Sequence, residues 1–188
     1  QLRVEFDDDT DGDTIPDDFE MNNAVNPGGS NLARLPGTIV RSSSQAASFP
    51  ATRVIDGNLR TSWFTNTGDA ANRRTSPFVE VETPSDINLA QIRLFGNREQ
   101  AVGFDFFAGR FFAFDADGNE LFNSGRVVLP PPDRDIAVAV DLDGVRRVRF
   151  VATEDESPNP GLSELELISR PGGPGLDKDD PDDAALDF

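Results

Sequence analysis

The densest set of metal-type oxygens in this chain lies between Asp7 and Glu20, in the run DDDTDGDTIPDDFE. A calcium ion takes about six to eight hard oxygens, and a calcium loop of about 12 residues supplies them from alternate positions, closing on a bidentate glutamate. Counting from Asp9 places side chains at Asp9, Asp11 and Asp13, a backbone carbonyl at Ile15, then Asp17 and finally Glu20. Thr14 stands where such loops use glycine for a sharp turn. A frame counted from Asp7 puts Gly12 at that turn but closes on Asp18, whose shorter arm grips an ion less readily. The Asp9 frame is preferred, because Glu20 then falls in a short helix-like exit from Asp17 to Asn22. A charge run without metal would be a solvated linker. Five spaced carboxylates, the last a correctly placed glutamate, favour calcium instead, and their mutual repulsion makes order depend on the ion.

Other chemistries are excluded by residue type. The 188 residues contain no Cys and no His, which removes thiol chemistry, disulfides, most zinc, copper and haem sites, and every histidine-based triad. The sole lysine, Lys178, lies in an acidic tail, so no serine or threonine has a lysine activator. Pro27-Gly28-Gly29 lacks the Lys-Ser/Thr of a phosphate loop. Carboxylates are plentiful, but no motif sets two of them in the tuned relation a glycosidase needs. We expect no catalysis. With 17 basic against 34 acidic residues the formal net charge is -17, which repels nucleic acid and anionic membranes and attracts divalent cations. No apolar run is long enough to span a bilayer, and membrane insertion is not expected. The chain opens on Gln1, so we expect a processed or excised product, secreted or at the cell surface, where calcium is abundant.

The elements that would position a site are β-strands. Val79 and Val81 alternate with Glu80 and Glu82; Ile92 and Leu94 flank Arg93; Val148 and Phe150 flank Arg149; Leu165 and Leu167 flank Glu166. Such period-two patterns mark antiparallel strands with one wet face. Asp117-Gly118-Asn119 reads as a hairpin turn, Asp141–Gly144 as a second turn, and Pro130-Pro131-Pro132 as a surface connection. The organisation that follows is an N-terminal strand and calcium loop over 1–31, a sandwich over 32–169, and a Pro/Gly linker with an acidic tail over 170–188.

Two resemblances sharpen this reading. The acidic run, continuing through Met21–Pro27, resembles the bacterial form of thrombospondin type 3 calcium repeats. Arg41-Ser42-Ser43-Ser44-Gln45, then Pro50 to Trp63 (PATRVIDGNLRTSW), Phe78–Glu82, Ile87–Asn97 and Leu162–Leu167 together resemble the discoidin, or coagulation-factor type C, domain. The implied fold is an all-β antiparallel β-sandwich, a galactose-binding-like jelly roll, behind an EF-hand-like calcium loop. The resemblance also implies a structural calcium where the Asp-Gly loop meets the last strand. Asp56, Thr61 and Glu164 would give side-chain oxygens, and Arg53, Asn58 and Ser163 backbone carbonyls. Trp63 would be core.

In this family ligands meet variable loops at one end of the sandwich, and here those loops could offer Phe64, Asn66, Arg73, Arg74, Arg98 and Phe104. Arginine beside an aromatic ring suits acidic glycans. Of the Phe cluster at 104, 106, 107, 111, 112 and 114, most rings are expected in the core and some outward. The expected function is a non-catalytic, calcium-stabilised adhesion or carbohydrate-binding module whose partner is a glycan or matrix component. An alternative is a repeating subunit of an extracellular fibre or surface layer, in which terminal segments such as Leu2–Phe6 pair with other copies of the chain.

Overall fold

The computed structural model describes residues 29–71, 74–99 and 103–170. The first strand, the Asp9–Glu20 loop, Arg73 and the acidic tail lie outside the described residues.

Eight strands form: β1 (Ile39–Ser42), β2 (Trp63–Phe64), β3 (Phe78–Gly96), β4 (Phe106–Phe114), β5 (Glu120–Asn123), β6 (Val127–Val128), β7 (Ile136–Asp155) and β8 (Gly161–Ser169). Short 3-10 turns at Leu32–Arg34 and Ala51–Ile55 are the helical elements among the described residues. Sheet order is β2-β8-β3-β7-β4-β5, with β1 on β3 and β6 on β4, all antiparallel. The two long strands belong to both layers. Phe78–Glu82 of β3 pairs β1 and the Arg147–Val151 part of β7, which also pairs β4. Further on, Leu89–Gly96 pairs β8 on one side and the start of β7 on the other.

Register shifts between Glu82 and Gln91 bend both strands round the corner. Here the structure corrects one expectation. Asp141–Gly144 does not reverse the chain; it lies within β7, with Gly144 at φ 69°. A residue in that left-handed region suits a bulge as well as a turn, and glycine takes it at little cost. The other two connections form as expected. Asp115 accepts hydrogen bonds from Asn119 at the β4–β5 hairpin, where Gly118 has φ 90°. Pro130–Pro132 is an exposed link before β7.

Alternation decides what is buried. Val79, Val81, Phe111, Ala113, Val148 and Phe150 point inward from one layer; Leu89, Ile92, Leu94, Leu162, Leu165 and Leu167 meet them from the other. Trp63 is fully buried, packs 6.0 Å from Phe106 and donates its indole N–H to Ser44 O at 2.9 Å. It is core, and its one polar atom is satisfied. The Phe cluster departs from the expectation that most of its rings are core: Phe106 and Phe111 are buried, whereas Phe104, Phe107, Phe112 and Phe114 are half-buried, because alternation along β4 turns Phe112 and Phe114 to the outer face.

Candidate functional site

Two constellations occupy the loops at the β2–β8 edge. The first is a clip between the Asp56–Thr61 turn and β8. Gly57 takes φ 79°, which aims its N–H at Glu164 Oε1, 2.6 Å away. The guanidinium of Arg34 donates to the same oxygen at 3.0 Å and lies against Gly57, where an added Cβ would sit 2.5 Å from it. Asp56 accepts from Asn58 N at 2.8 Å and from the Thr61 hydroxyl at 2.7 Å; Thr61 also lies 2.8 Å from Asn58 O. Asp56 N–H reaches back to Arg53 O at 3.4 Å. On the strand side, Ser163 Oγ is 2.9 Å from Ser62 Oγ and accepts from Arg98 N at 3.0 Å.

Glu164 is the electrostatic centre of this clip. Burial pushes its carboxyl up from 4.5 to about 7, and the nearby charge of Asp56 adds to the rise; the Gly57 N–H and Arg34 oppose it. Its second oxygen, Oε2, is buried and has no hydrogen-bond partner. Such an orphan acceptor is costly unless a cation or a proton meets it. Among the described residues no three carboxylate, His or Cys side chains gather into a metal cluster. An ion here would therefore rest on two carboxylates, Asp56 and Glu164, with the Thr61 hydroxyl and backbone carbonyls completing a hard-oxygen shell. That charge and donor type fit calcium. Arg34 and the Gly57 N–H had no signal in the sequence, since Arg34 is 130 residues from Glu164 and recognisable only after folding.

The second constellation is an aromatic pocket of about 270 Å³ at the loop end, lined by Ala46, Phe49, Phe64, Phe104 and Asn159. Phe64 stands edge-on to both other rings, with centroids 5.0 Å from Phe49 and 6.1 Å from Phe104. Backbone bonds from Ala46 N to Phe64 O, Thr65 N to Pro160 O and Gly161 N to Phe104 O tie the loops into one cradle. Gly161 has no room for a side chain: a Cβ would collide with Trp63 O and lie 2.7 Å from Phe64 Cε1. Gly161→Ala is expected to cost about 1–3 kcal/mol and displace the Phe64 ring. Denaturant unfolding of the variant checks the cost.

Of the residues named for ligand contact, the structure puts Phe64 and Phe104 in this pocket. Asn66 is exposed on the adjoining loop, its N–H held by Ser44 Oγ at 2.9 Å. Arg74 is exposed with φ 68°, and Arg98 is engaged by Asp135. Phe49 and Asn159 were missed. Phe49 directly precedes Pro50 in a polar loop, which is the one local hint that its ring is placed for contact. Arg53 lies over the Phe49 ring at 5.2 Å while bonding Glu99 at 2.7 Å, linking the pocket wall to the turn before the clip. Neither this pocket nor a groove on the outer faces of β4 and β7 offers paired carboxylates: Glu120, in the groove, is the sole acid lining either.

No protein-family model and no curated protein matches the chain. Solved structures do. An F5/8 type C domain from Bacteroides fragilis superposes with TM-score 0.64 at 14% identity, over 76% of this chain and 97% of that one. The family 32 carbohydrate-binding module of C. perfringens NanJ, solved with galactose, gives 0.60 at 18% identity, over 70% and 93%. The lectin domain of lectinolysin, solved with Lewis B antigen, gives 0.61 at 19% identity, over 75% and 96%. The chain therefore has the antiparallel galactose-binding-like fold shared by discoidin-type domains and family 32 carbohydrate-binding modules.

Proposed function

We propose that this chain is a non-catalytic, extracellular carbohydrate-binding module that holds a neutral or weakly polar sugar in the Phe49–Phe64–Phe104 pocket and is stabilised by calcium at the Asp56–Glu164 clip. The observation that carries the reading is the pocket: Phe64 at the end of β2 and Phe49 and Phe104 from two separate loops converge at the end of the sandwich, with Asn159 as a hydrogen-bonding group. A sugar offers apolar C–H faces to rings and hydroxyls to amides, and a concave, mostly apolar cavity with few polar groups suits it. The fold supports this reading, because similar structures were solved with galactose and with Lewis B antigen, and another is a fucose-binding module.

Calcium completes the proposal. One ion between Asp56 and Glu164 would join segments 108 residues apart in a chain without disulfides. This chain's residues hold the site open for it: Gly57 and Arg34 fix one oxygen of Glu164 and leave the other bare.

A glycan array followed by calorimetry tests the sugar site. We expect galactose- or fucose-containing glycans to bind, and Phe104→Ala to weaken them at least tenfold with an unchanged melting temperature, since Phe104 is only half-buried. Phe104→Ala that binds as well as the parent chain would remove the pocket from consideration.

A further inference from the structure

A second cavity, of about 500 Å³, lies away from the loop pocket, on the outer faces of β4 and β7. Alternation puts Arg110, Phe112 and Phe114 of β4 on that face, opposite Val151, Arg149 and Arg147 of β7. Phe112 and Phe114 are stacked, with centroids 6.2 Å apart and planes 13° from parallel, and together form the aromatic part of the groove lining. Arg147 and Arg149 lie over the Phe114 ring, 5.4 Å and 5.9 Å from its centroid, which leaves Phe112 as the freer of the two rings. Thr75 and Ser76 form part of another wall, and Thr153 contributes a buried hydroxyl that has no hydrogen-bond partner in the structure.

The charge here runs against the rest of the molecule. Acids outnumber bases two to one, 34 to 17, and most described arginines meet carboxylates, as Arg126 meets Glu154 and Arg146 meets Asp86; Arg60, Arg74 and Arg134 do not, but none of these lines the groove. On this face Arg149 is held by the buried Glu80 at 2.6 Å, but Arg110 and Arg147 have no carboxylate partner among the described residues. Glu120 is the single acid lining the groove. Arg110, lining the groove beside two phenylalanine rings with no carboxylate partner among the described residues, marks a place for an anion with an apolar face.

We propose that this groove is a second saccharide site, selective for sugars that carry a carboxylate. A uronic acid packs its apolar C–H groups against Phe112, its carboxylate meets Arg110, and its hydroxyls face the wall formed by Thr75 and Ser76. A peptide fits less well. β4 is already paired with β5, β6 and β7, so the groove floor has no free backbone edge on which to add a strand. The site is independent of the loop pocket and does not rest on the function proposed for it.

The test is calorimetry on the whole chain with digalacturonate and, as the neutral control, galactobiose. Digalacturonate is expected to bind, more weakly as salt is raised, and galactobiose is expected not to enter the groove. Arg110→Gln should lower digalacturonate affinity at least tenfold. Phe112→Leu, which keeps an apolar side chain but removes the flat ring, should do the same without changing the melting temperature. Phe104→Ala should leave digalacturonate binding intact, so this site and the loop pocket stand or fall separately. Digalacturonate binding unaffected by Arg110→Gln, or absent in the parent chain, overturns the proposal. So does a synthetic peptide of residues 177–188 that displaces the sugar at lower concentration, since the groove would then belong to the chain's own acidic tail.

Discussion

Calcium added to chelator-treated protein is expected to raise its melting temperature by about 5–10 °C, and Glu164→Gln to remove most of that gain. An ion at about a hundredfold excess over its dissociation constant adds about 2.7 kcal/mol to a folded state that alone binds it. For a chain of this size each kcal/mol moves the transition by about 2–4 °C. The response should depend on pH. Glu164 is raised from 4.5 to about 7 on folding, so between those values the folded chain holds a proton that the unfolded chain has released. Without calcium, its contribution is complete below pH 4.5 and is lost as pH climbs through 7, by up to about 3 kcal/mol. Calcium needs the carboxylate, so its benefit should grow over the same interval. Melting curves from pH 4 to 8, with EDTA and with calcium, read both slopes. A calcium gain that survives Glu164→Gln but falls with Glu20→Gln would move the ion to the acidic N-terminal stretch.

Phe150→Ala is expected to destabilise the chain by about 3–5 kcal/mol, the usual cost of emptying a large core position. Its ring is fully buried, 5.1 Å from Phe111 and 5.7 Å from Phe106 by centroid, on the strand that serves both layers. Gly109, across the sheet on β4, exists to admit that ring: a Cβ there would overlap Phe150 and approach Val151 O to 2.8 Å. Gly109→Ala alone should therefore cost about 1–3 kcal/mol by overpacking. In the Phe150→Ala background most of that second penalty should vanish, because the ring it strikes is gone. A double-mutant cycle by urea denaturation measures the coupling. Simple additivity would mean that the tight contact with Val151 O, not the ring, sets the cost.

How much of this was visible beforehand follows from the range of each interaction. The alternating pairs in β3, β7 and β8 were legible because period two is written in adjacent residues, and Trp63 as core because its neighbours fit one pattern. Asp141–Gly144 misled because Asp-Gly signals a left-handed residue, and a bulge uses one just as a turn does. The 19 and 20 residues of β3 and β7 were not legible as single strands for the same reason: their corners look like ends. In the clip, Asp56, Asn58 and Thr61 are near neighbours in sequence, so their grouping was legible; Arg34 and Asn159 reach their places through contacts across the fold and left no mark in the order of residues. Arg98 illustrates the converse. It is present in a loop, as expected, but Asp135 occupies its charge.

Ser30 and Ser169 lie side by side, each bonding the other's backbone, and Asn31 bridges Ile168. From there β8 runs about 26 Å to Gly161, against the Phe64 wall of the aromatic pocket. Entry and exit of the sandwich thus share one pole while the aromatic pocket occupies the other. Spliced into a longer polypeptide, the unit would hang as a pendant with its binding tip outward, and tension along the main chain would pass across its base rather than through its interior.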